Sequence, residues 1–525
     1  FSALITFLQF IGEINLQTVI VLEDLHWIDE SSQQVLDYIL TNCQTEKPLL
    51  FLCLYRPQGQ YIHPEDKEDQ IISEEIELKS INMDSCRQLI MSMLDSAAKD
   101  VEEFLLKHSN GNPFFLEEFV ISMIESGYIE DDGSQWSFTV NQSSIPIPTT
   151  MSRLLHSRID KLSDEQKKAL QYSSVIGMEF LLQLYQRLNR KLDLSSGSKA
   201  MLSELEKRDF IFGSKDTQDL RYVFKHIMTH STAYDTILWH NRKILHQSTA
   251  NAYLELFSED ESVHMDVAYH YEMAEDFEKA CEYYFLAGNH YLKTIRYDKA
   301  LDALSSALSI CRKMYKSDHL ITANCLSKLG GIAYKMGSFK NAEAHFIAAN
   351  KIKEKLLGVD HLEFADGINT LAELYSYEGH FGKADPLNKI ALEIRKKSLG
   401  ENHPKYAESI SIRGLIFLGQ GNYSKAETLL SRSLEINERA LGSDNPTVAA
   451  NLSVLAASLS RQEQYNRAEP LFQRALDIFE NRMPSNHPHI ANALNNLGSV
   501  YLGKSELGKA EHYLEKALQM KRLAF

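Results

Sequence analysis

One phrase recurs every 42 residues in the C-terminal part of the chain, at His319, His361, His403, Asn445 and His487. Four residues after each stands an alanine: Ala323, Ala365, Ala407, Ala449 and Ala491. Eleven residues after come Gly330, Ala372, Gly414, Ala456 and Gly498. Offsets of 23 and 30 bring Ala342, Ala384, Ala426, Ala468 and Ala510, then Ala349, Ala391, Ser433, Ala475 and Ala517. A fixed period of this length excludes a single globular core and requires a stack of like units, each burying its apolar face on its neighbours. Small residues at set offsets on two successive helices let those helices approach closely. Phe339, Phe381, Tyr423, Tyr465 and Leu507 are expected to fill the gaps between them. Pro404, Pro446 and Pro488 each follow a His or Asn, which reads as a helix start with proline at its first position.

The spacing of 12 and then 7 residues between small positions (330, 342, 349) resembles the tetratricopeptide signature. A 42-residue unit with links such as LGENHP and LGSDNP is similar to the repeats of kinesin light chains and their relatives. Upstream, Ala268, Ala280 and Ala287, then Gly288, Ala300 and Ala307, repeat the spacing more tightly, so residues 263–315 are expected to start the array irregularly, before five regular repeats over 316–525. The resemblance implies a superhelix that holds a protein or peptide on its concave face. Residues three and six positions before each small position are expected along that face. These are Ser327, Asn369, Ser411, Ser453 and Asn495, with Asn324, Asp366, Glu408, Ala450 and Asn492. All but Ala450 are polar and most are short, as suits hydrogen bonding to an extended backbone at low side-chain entropy cost, with Asn369 and Asn495 as main contacts. A merely solvated face would also be polar.

The N-terminal part has a different rhythm. Thr18–Leu22 and Leu49–Leu54 read as buried strands, Glu75–Leu78 as a third, and Ser31–Asn42 between the first two has helical spacing. Strand, helix and strand imply part of a parallel α/β sheet over 1–80. Residues 81–145 turn helical, with a hairpin about Asp132–Gly133. Over 146–262, short helices and a second hairpin, Phe210–Phe212 with Arg221–Phe224, suggest a winged helix. TVIVLEDLHWIDESS resembles the Walker B segment of STAND signalling ATPases, an AAA-like family. By that resemblance Glu23 helps hold Mg²⁺, Asp24 orients the attacking water, and the likeness extends to Trp27, Asp29 and Ser32. It also implies that Arg56 senses the terminal phosphate and that Gly111 and Pro113, in GNPFFLEEF, lie near the adenine, though Asn112 as a helix cap gives the motif a structural role as well. His226 stands where relatives carry a diphosphate-contacting histidine, but Ile227 replaces their aspartate and a core histidine fits equally. The implied cofactors are ATP or ADP with Mg²⁺, and nucleotide-dependent self-association is a further expectation. The same portion is similar to the module following the catalytic domains of soluble adenylyl cyclases.

The sequence contains no GxxxxGK[ST] phosphate loop, and its GK pairs (Gly382-Lys383, Gly503-Lys504, Gly508-Lys509) all lie in the repeats. As written the chain is not expected to hydrolyse ATP, and since it opens on Phe1 one helix before Walker B it is expected to be a fragment. A net charge of −16 argues against nucleic acid and anionic membranes as partners. Six scattered cysteines without a CxxC pair read as reduced thiols in a cytoplasmic protein. The expected fold is therefore mainly α: a partial P-loop α/β core, a helical lid and a winged helix, followed by an all-α tetratricopeptide superhelix. Three functions stay open: a nucleotide-regulated signalling ATPase, a non-enzymatic scaffold with a vestigial ATPase, and the regulatory half of an adenylyl cyclase.

Overall fold

A computed structural model describes residues 18–23, 25, 28, 30–42, 49–55, 76–109, 111–192, 198–214, 220–315, 318–485 and 487–524. The chain forms two compact units, Ile76–Ile352 and Phe1–Glu75 with Lys353–Phe525.

Near the N-terminus, β1 (Thr18–Leu22) and β2 (Leu49–Cys53) pair in parallel, with Thr18 opposite Leu49 and Leu22 opposite Cys53. Helix α1 (Glu30–Asn42) joins them, as parallel neighbours require. Ile39 packs against Ile20 and Phe51, and Leu36 against Leu22 and Cys53, so one sheet face is covered. The third strand expected at 75–78 does not form among the described residues: Ile76 and Leu78 are exposed, and residues 76–80 pair with no strand. Alternation alone does not make a strand when no ladder receives it.

The second unit opens with α2 (Met83–Met93), α3 (Lys99–Ser109) and α4 (Pro113–Glu125) around Ile90, Leu105, Leu116 and Phe119. β3 (Ile129–Asp131) and β4 (Trp136–Phe138) form the first hairpin. Its loop is four residues long, because Asp132 caps the backbone of Ser134 and Gln135 while Gly133 takes φ +89°. Next come α5 (Met151–Asp160), α6 (Asp164–Ile176), β5 (Glu179–Leu181), α7 (Leu182–Lys191), α8 (Ser198–Lys207), β6 (Ile211–Ser214) and β7 (Arg221–Phe224). The expected second hairpin gains a partner, since β5 pairs with β7 and makes an antiparallel sheet ordered β5-β7-β6. A capping box of Ser163 and Gln166 starts α6. α9 (Ile227–Asp235) and α10 (Trp239–Leu256) follow, and His246 of α10 meets His270 of α11 (His264–Met273) with Nδ1 atoms 2.8 Å apart. Tyr234 bonds the other nitrogen of His246 at 2.9 Å, and Arg242, Tyr253 and Tyr269 surround the pair.

Helices α12 (Phe277–Lys293) and α13 (Tyr297–Met314) pack as neighbours, as do α14 (Leu320–Lys335) and α15 (Phe339–Leu357). The further pairs are α16 (Leu362–Tyr377) with α17 (Phe381–Leu399), α18 (Pro404–Gly419) with α19 (Tyr423–Leu441), α20 (Pro446–Ser460) with α21 (Tyr465–Arg482), and α22 (Pro488–Gly503) with α23 (Leu507–Ala524). No described residue after Phe224 is in a strand, and from His319 onward the period is the reason. A Cβ on Gly330, Gly414 or Gly498 would stand 2.7, 2.8 or 2.6 Å from Phe346, Leu430 or Leu514, each 16 residues on. The His or Asn at each phrase caps the helix that follows. Phe381 and Tyr465 cover Gly419 and Gly503 at the end of the next pair's first helix, whereas Leu507 is 69% exposed and Tyr423 38%. No helix among the described residues is long and apolar enough to cross a membrane.

The cysteine expectation needs correction. Cys281 and Cys311, on α12 and α13, form a disulfide with Cα atoms 6.4 Å apart; thirty residues of sequence bring them face to face on neighbouring helices, which spacing alone does not reveal. Cys86 and Cys325 are buried thiols outside any disulfide, Cys53 is half-buried, and Cys43 lies outside the described residues.

Two outcomes are expected. Under non-reducing conditions, replacing Cys281 and Cys311 with alanine should lower the unfolding free energy by about 2–4 kcal/mol, and reductant should bring the wild type close to the variant. A wild-type melt indifferent to reductant would mean the bond does not form. Burial pushes His246 down to about 4 and His270 down to about 3, below the ordinary imidazole value, so the unfolded chain binds more protons below about pH 6.5. Stability should hold above that pH and decline on acidification towards pH 4, and urea midpoints of a His246→Gln, His270→Gln variant should decline less.

Candidate functional site

The parallel pair sets the N-terminal candidates. Leu54 N donates to Leu22 O at 2.8 Å and Leu25 N to Leu54 O at 3.0 Å, so the two chains leave the carboxyl ends of their strands side by side. Glu23 occupies that end, exposed, where α/β sheets present groups to a ligand. Asp24, Arg56, Trp27 and Asp29 lie outside the described residues.

Gly111 has φ +69°, and a Cβ there would meet Ile81 O at 2.8 Å. Ile81 N donates to Gly111 O at 2.9 Å, so only glycine fits this crossing. Asn112 caps α4 through Phe115 N at 3.0 Å, with Pro113 at the first helical position. The GNP motif thus has a full structural account. It is also brought to His226: the His226 ring lies 3.7 Å, centroid to centroid, from Phe114, and Lys225 pairs with Glu117 at 2.6 Å. His226 precedes α9 and makes no capping bond, which leaves its ring on the aromatic face of Phe114. Sequence reasoning missed the charge cluster beneath. Arg158 of α5, 1% exposed, pairs with Glu118, with Glu125 at 3.1 Å, and donates to Arg208 O at 2.7 Å. An arginine at a core-facing helical position with two glutamates on an earlier helix was the available signal.

In the repeats the ten predicted positions separate. Asn492 and Glu408 are exposed; Asn324, Ser411, Asn495 and Ala450 are half-buried. Ser327 and Ser453 are half-buried too, and each hydroxyl donates to the carbonyl four residues earlier, Ala323 and Ala449, at 2.9 Å. Asp366 pairs with Arg395 at 2.7 Å and Lys405 at 2.6 Å; burial opposes its ionisation, yet those two bonds hold it below the usual carboxylate range. Asn369 is 1% exposed and accepts from Ser409 Oγ at 2.8 Å. It cannot be a main contact for a bound peptide, which corrects that expectation. It belongs to a polar seam between helix pairs, where Arg395, 2% exposed, donates to Ser409 Oγ at 2.8 Å and Lys405 O at 2.7 Å, and Asn388 donates to Ser409 O at 2.9 Å. Beside it, burial and then repulsion from Glu408 push the Glu373 carboxyl up to about 7. The described residues contain no group of three or more metal-ligating side chains.

The seam makes a direct prediction. Asn369→Ala should cost about 1–3 kcal/mol in urea unfolding by stripping Ser409 of its acceptor, while Asn495→Ala should stay within about 0.5 kcal/mol. Equal, small effects would put Asn369 on the surface.

The family described as tetratricopeptide repeat matches residues 283–355, 363–439, 411–481 and 449–522. An uncharacterized protein of Rhizobium meliloti (strain 1021) is 24% identical over 318 residues, which is 59% of this chain and 29% of that protein, so the chain spans under a third of that relative's length. A STAND (signal transduction ATPase with numerous domains) protein with a tetratricopeptide repeat sensor, from Pyrococcus horikoshii, superposes with a TM-score of 0.61 at 14% identity, covering 99% of this chain and 70% of that one. A putative kinesin light chain from Podosopora anserina, with nearly identical repeats, covers 39% of this chain and 97% of its own at 21% identity and a TM-score of 0.32. The chain thus carries tetratricopeptide repeats, and its fold is that of a STAND protein with a tetratricopeptide sensor.

Proposed function

We propose that this chain is the switch and sensor portion of a nucleotide-regulated signal-transduction ATPase, in which the repeats bind a protein partner on their concave face. Tetratricopeptide arrays support a protein-interaction role in general; the nucleotide part rests on one observation above all. Two sequence motifs more than a hundred residues apart, GNPFFLEEF and FKH, come together through the His226–Phe114 ring contact and the Lys225–Glu117 pair. A histidine held there against Phe114 at a tilt of 36°, with its ring nitrogens unused by the helix cap, suits a diphosphate-contacting role. Glu23 at a parallel strand end suits the Mg²⁺ role, with Asp24 beside it in sequence orienting water. Within 353–525 the concave-face residues that suit a partner are exposed Asn492 and half-buried Ser411 and Asn495, with Glu408 and Asp366 at the edge of the seam, and half-buried Asn324 is a candidate of the other unit by itself.

The test uses the natural full-length protein. Asp24→Asn should still bind a fluorescent ATP analogue and lower turnover at least a hundredfold, Glu23→Gln should weaken Mg²⁺-dependent binding, and His226→Ala should weaken ADP retention. Absence of nucleotide binding in the wild type would leave the scaffold reading in its place. Ser411→Ala with Asn495→Ala should weaken partner capture without moving the melting temperature.

A further inference from the structure

A groove of about 520 Å³ runs along α13, closed by α14 and α15. Leu301, Ser305, Leu308 and Arg312 line it from one face of α13, at the three- and four-residue spacing that puts side chains in a row. Leu308 and Leu329 make a buried apolar floor, and Leu301 extends it although 43% exposed. At one end stand Arg312 and Lys313, with His345 of α15 across from them. The lining contains no carboxylate, and among the described residues neither Arg312 nor Lys313 is paired with one. Burial, and then Arg312 itself, oppose protonation of His345, so these groups face each other uncompensated. This is unusual on a chain with 71 acidic and 55 basic residues. The groove is also distinct from the concave-face candidates, because Leu329 follows Ser327 by two residues and points about 200° away around α14.

We infer that this groove is a second docking site, which takes an acidic segment of a partner protein with apolar side chains over Leu301, Leu308 and Leu329 and carboxylates at Arg312 and Lys313. The stripe is roughly 18 Å long at 1.5 Å per helical residue, which an extended segment of about five residues spans. Apolar burial supplies affinity, and the uncompensated cations select acid over neutral sequence. This site stands or falls separately from the concave-face reading.

Fluorescence polarisation of the whole chain with a labelled pentapeptide alternating leucine and glutamate tests it. The peptide should bind at low salt, weaken several-fold as salt is raised, and weaken at least tenfold with Arg312→Glu and Lys313→Glu combined. Its leucine–glutamine counterpart should bind at least tenfold less. Ser305→Trp, which fills the groove but keeps both cations and alters only an exposed position, should block binding if charge reversal disturbs the fold. Ser411→Ala with Asn495→Ala should leave it unchanged. Equal binding of the glutamine peptide, indifference to both groove variants, or competition by a thymidine oligonucleotide in place of peptide binding would overturn the inference.

Discussion

Everything after α13 depends on one steric constraint: the first helix of each pair must carry a small residue where the second crosses it. At Gly330, Gly414 and Gly498 a single added carbon would overlap Phe346, Leu430 or Leu514. Overpacking of that kind typically costs about 1–3 kcal/mol per site, and in a repeat array each pair also sets the platform for the next. Close approach at the small position fixes the angle of the pair, and that angle decides which faces are left outward. The glycines Gly419 and Gly503 extend the same logic from within pairs to between them, as seats for Phe381 and Tyr465. Function in this part of the chain is therefore downstream of alanine and glycine placement.

That dependence explains both what the sequence revealed about the repeats and what it hid. The period, the helix pairs, the caps at His or Asn and the small positions were all legible, because each is a local requirement repeated five times. The inner-face assignment was less so. Residues three before a buried small position share its side of the helix, so the same geometry that aligns them also draws them inward. Asn369 went fully inside because Ser409 and Arg395 offered it polar partners there. Pairing of that sort joins different helix pairs and has no footprint in a single-residue pattern. Short amides, which looked suited to a peptide backbone, suit a helix–helix seam for the same reason: they satisfy hydrogen bonds without losing much side-chain entropy.

In the N-terminal half the motifs were more legible than the elements. Strands of five residues formed where continuous β-branched and aliphatic runs met a parallel partner, and failed at 76–78, where none was present among the described residues. The Cys281–Cys311 bond was hidden because pairing depends on which helices become neighbours, and composition argues only about compartments. The GNP phrase carries two roles at once. Its glycine and asparagine are required by backbone geometry at Ile81 and by the α4 cap, whatever else they touch.

The mechanical consequence lies in α4. One end of this helix carries the Gly111–Pro113 turn, its first turns reach His226 and Lys225 through Phe114 and Glu117, and its body buries Glu118 against Arg158. Separating a buried ion pair leaves an uncompensated charge and typically costs about 3–5 kcal/mol. Arg158 is further held by Glu125 and the Arg208 carbonyl, so α4, α5 and the segment entering β6 are constrained to move together. Further along, α10 meets α11 through the His246–His270 pair and the Tyr271–Asn251 hydrogen bond. Close packing at the small positions orders the repeats, and the Arg158 cluster ties together the helices before them.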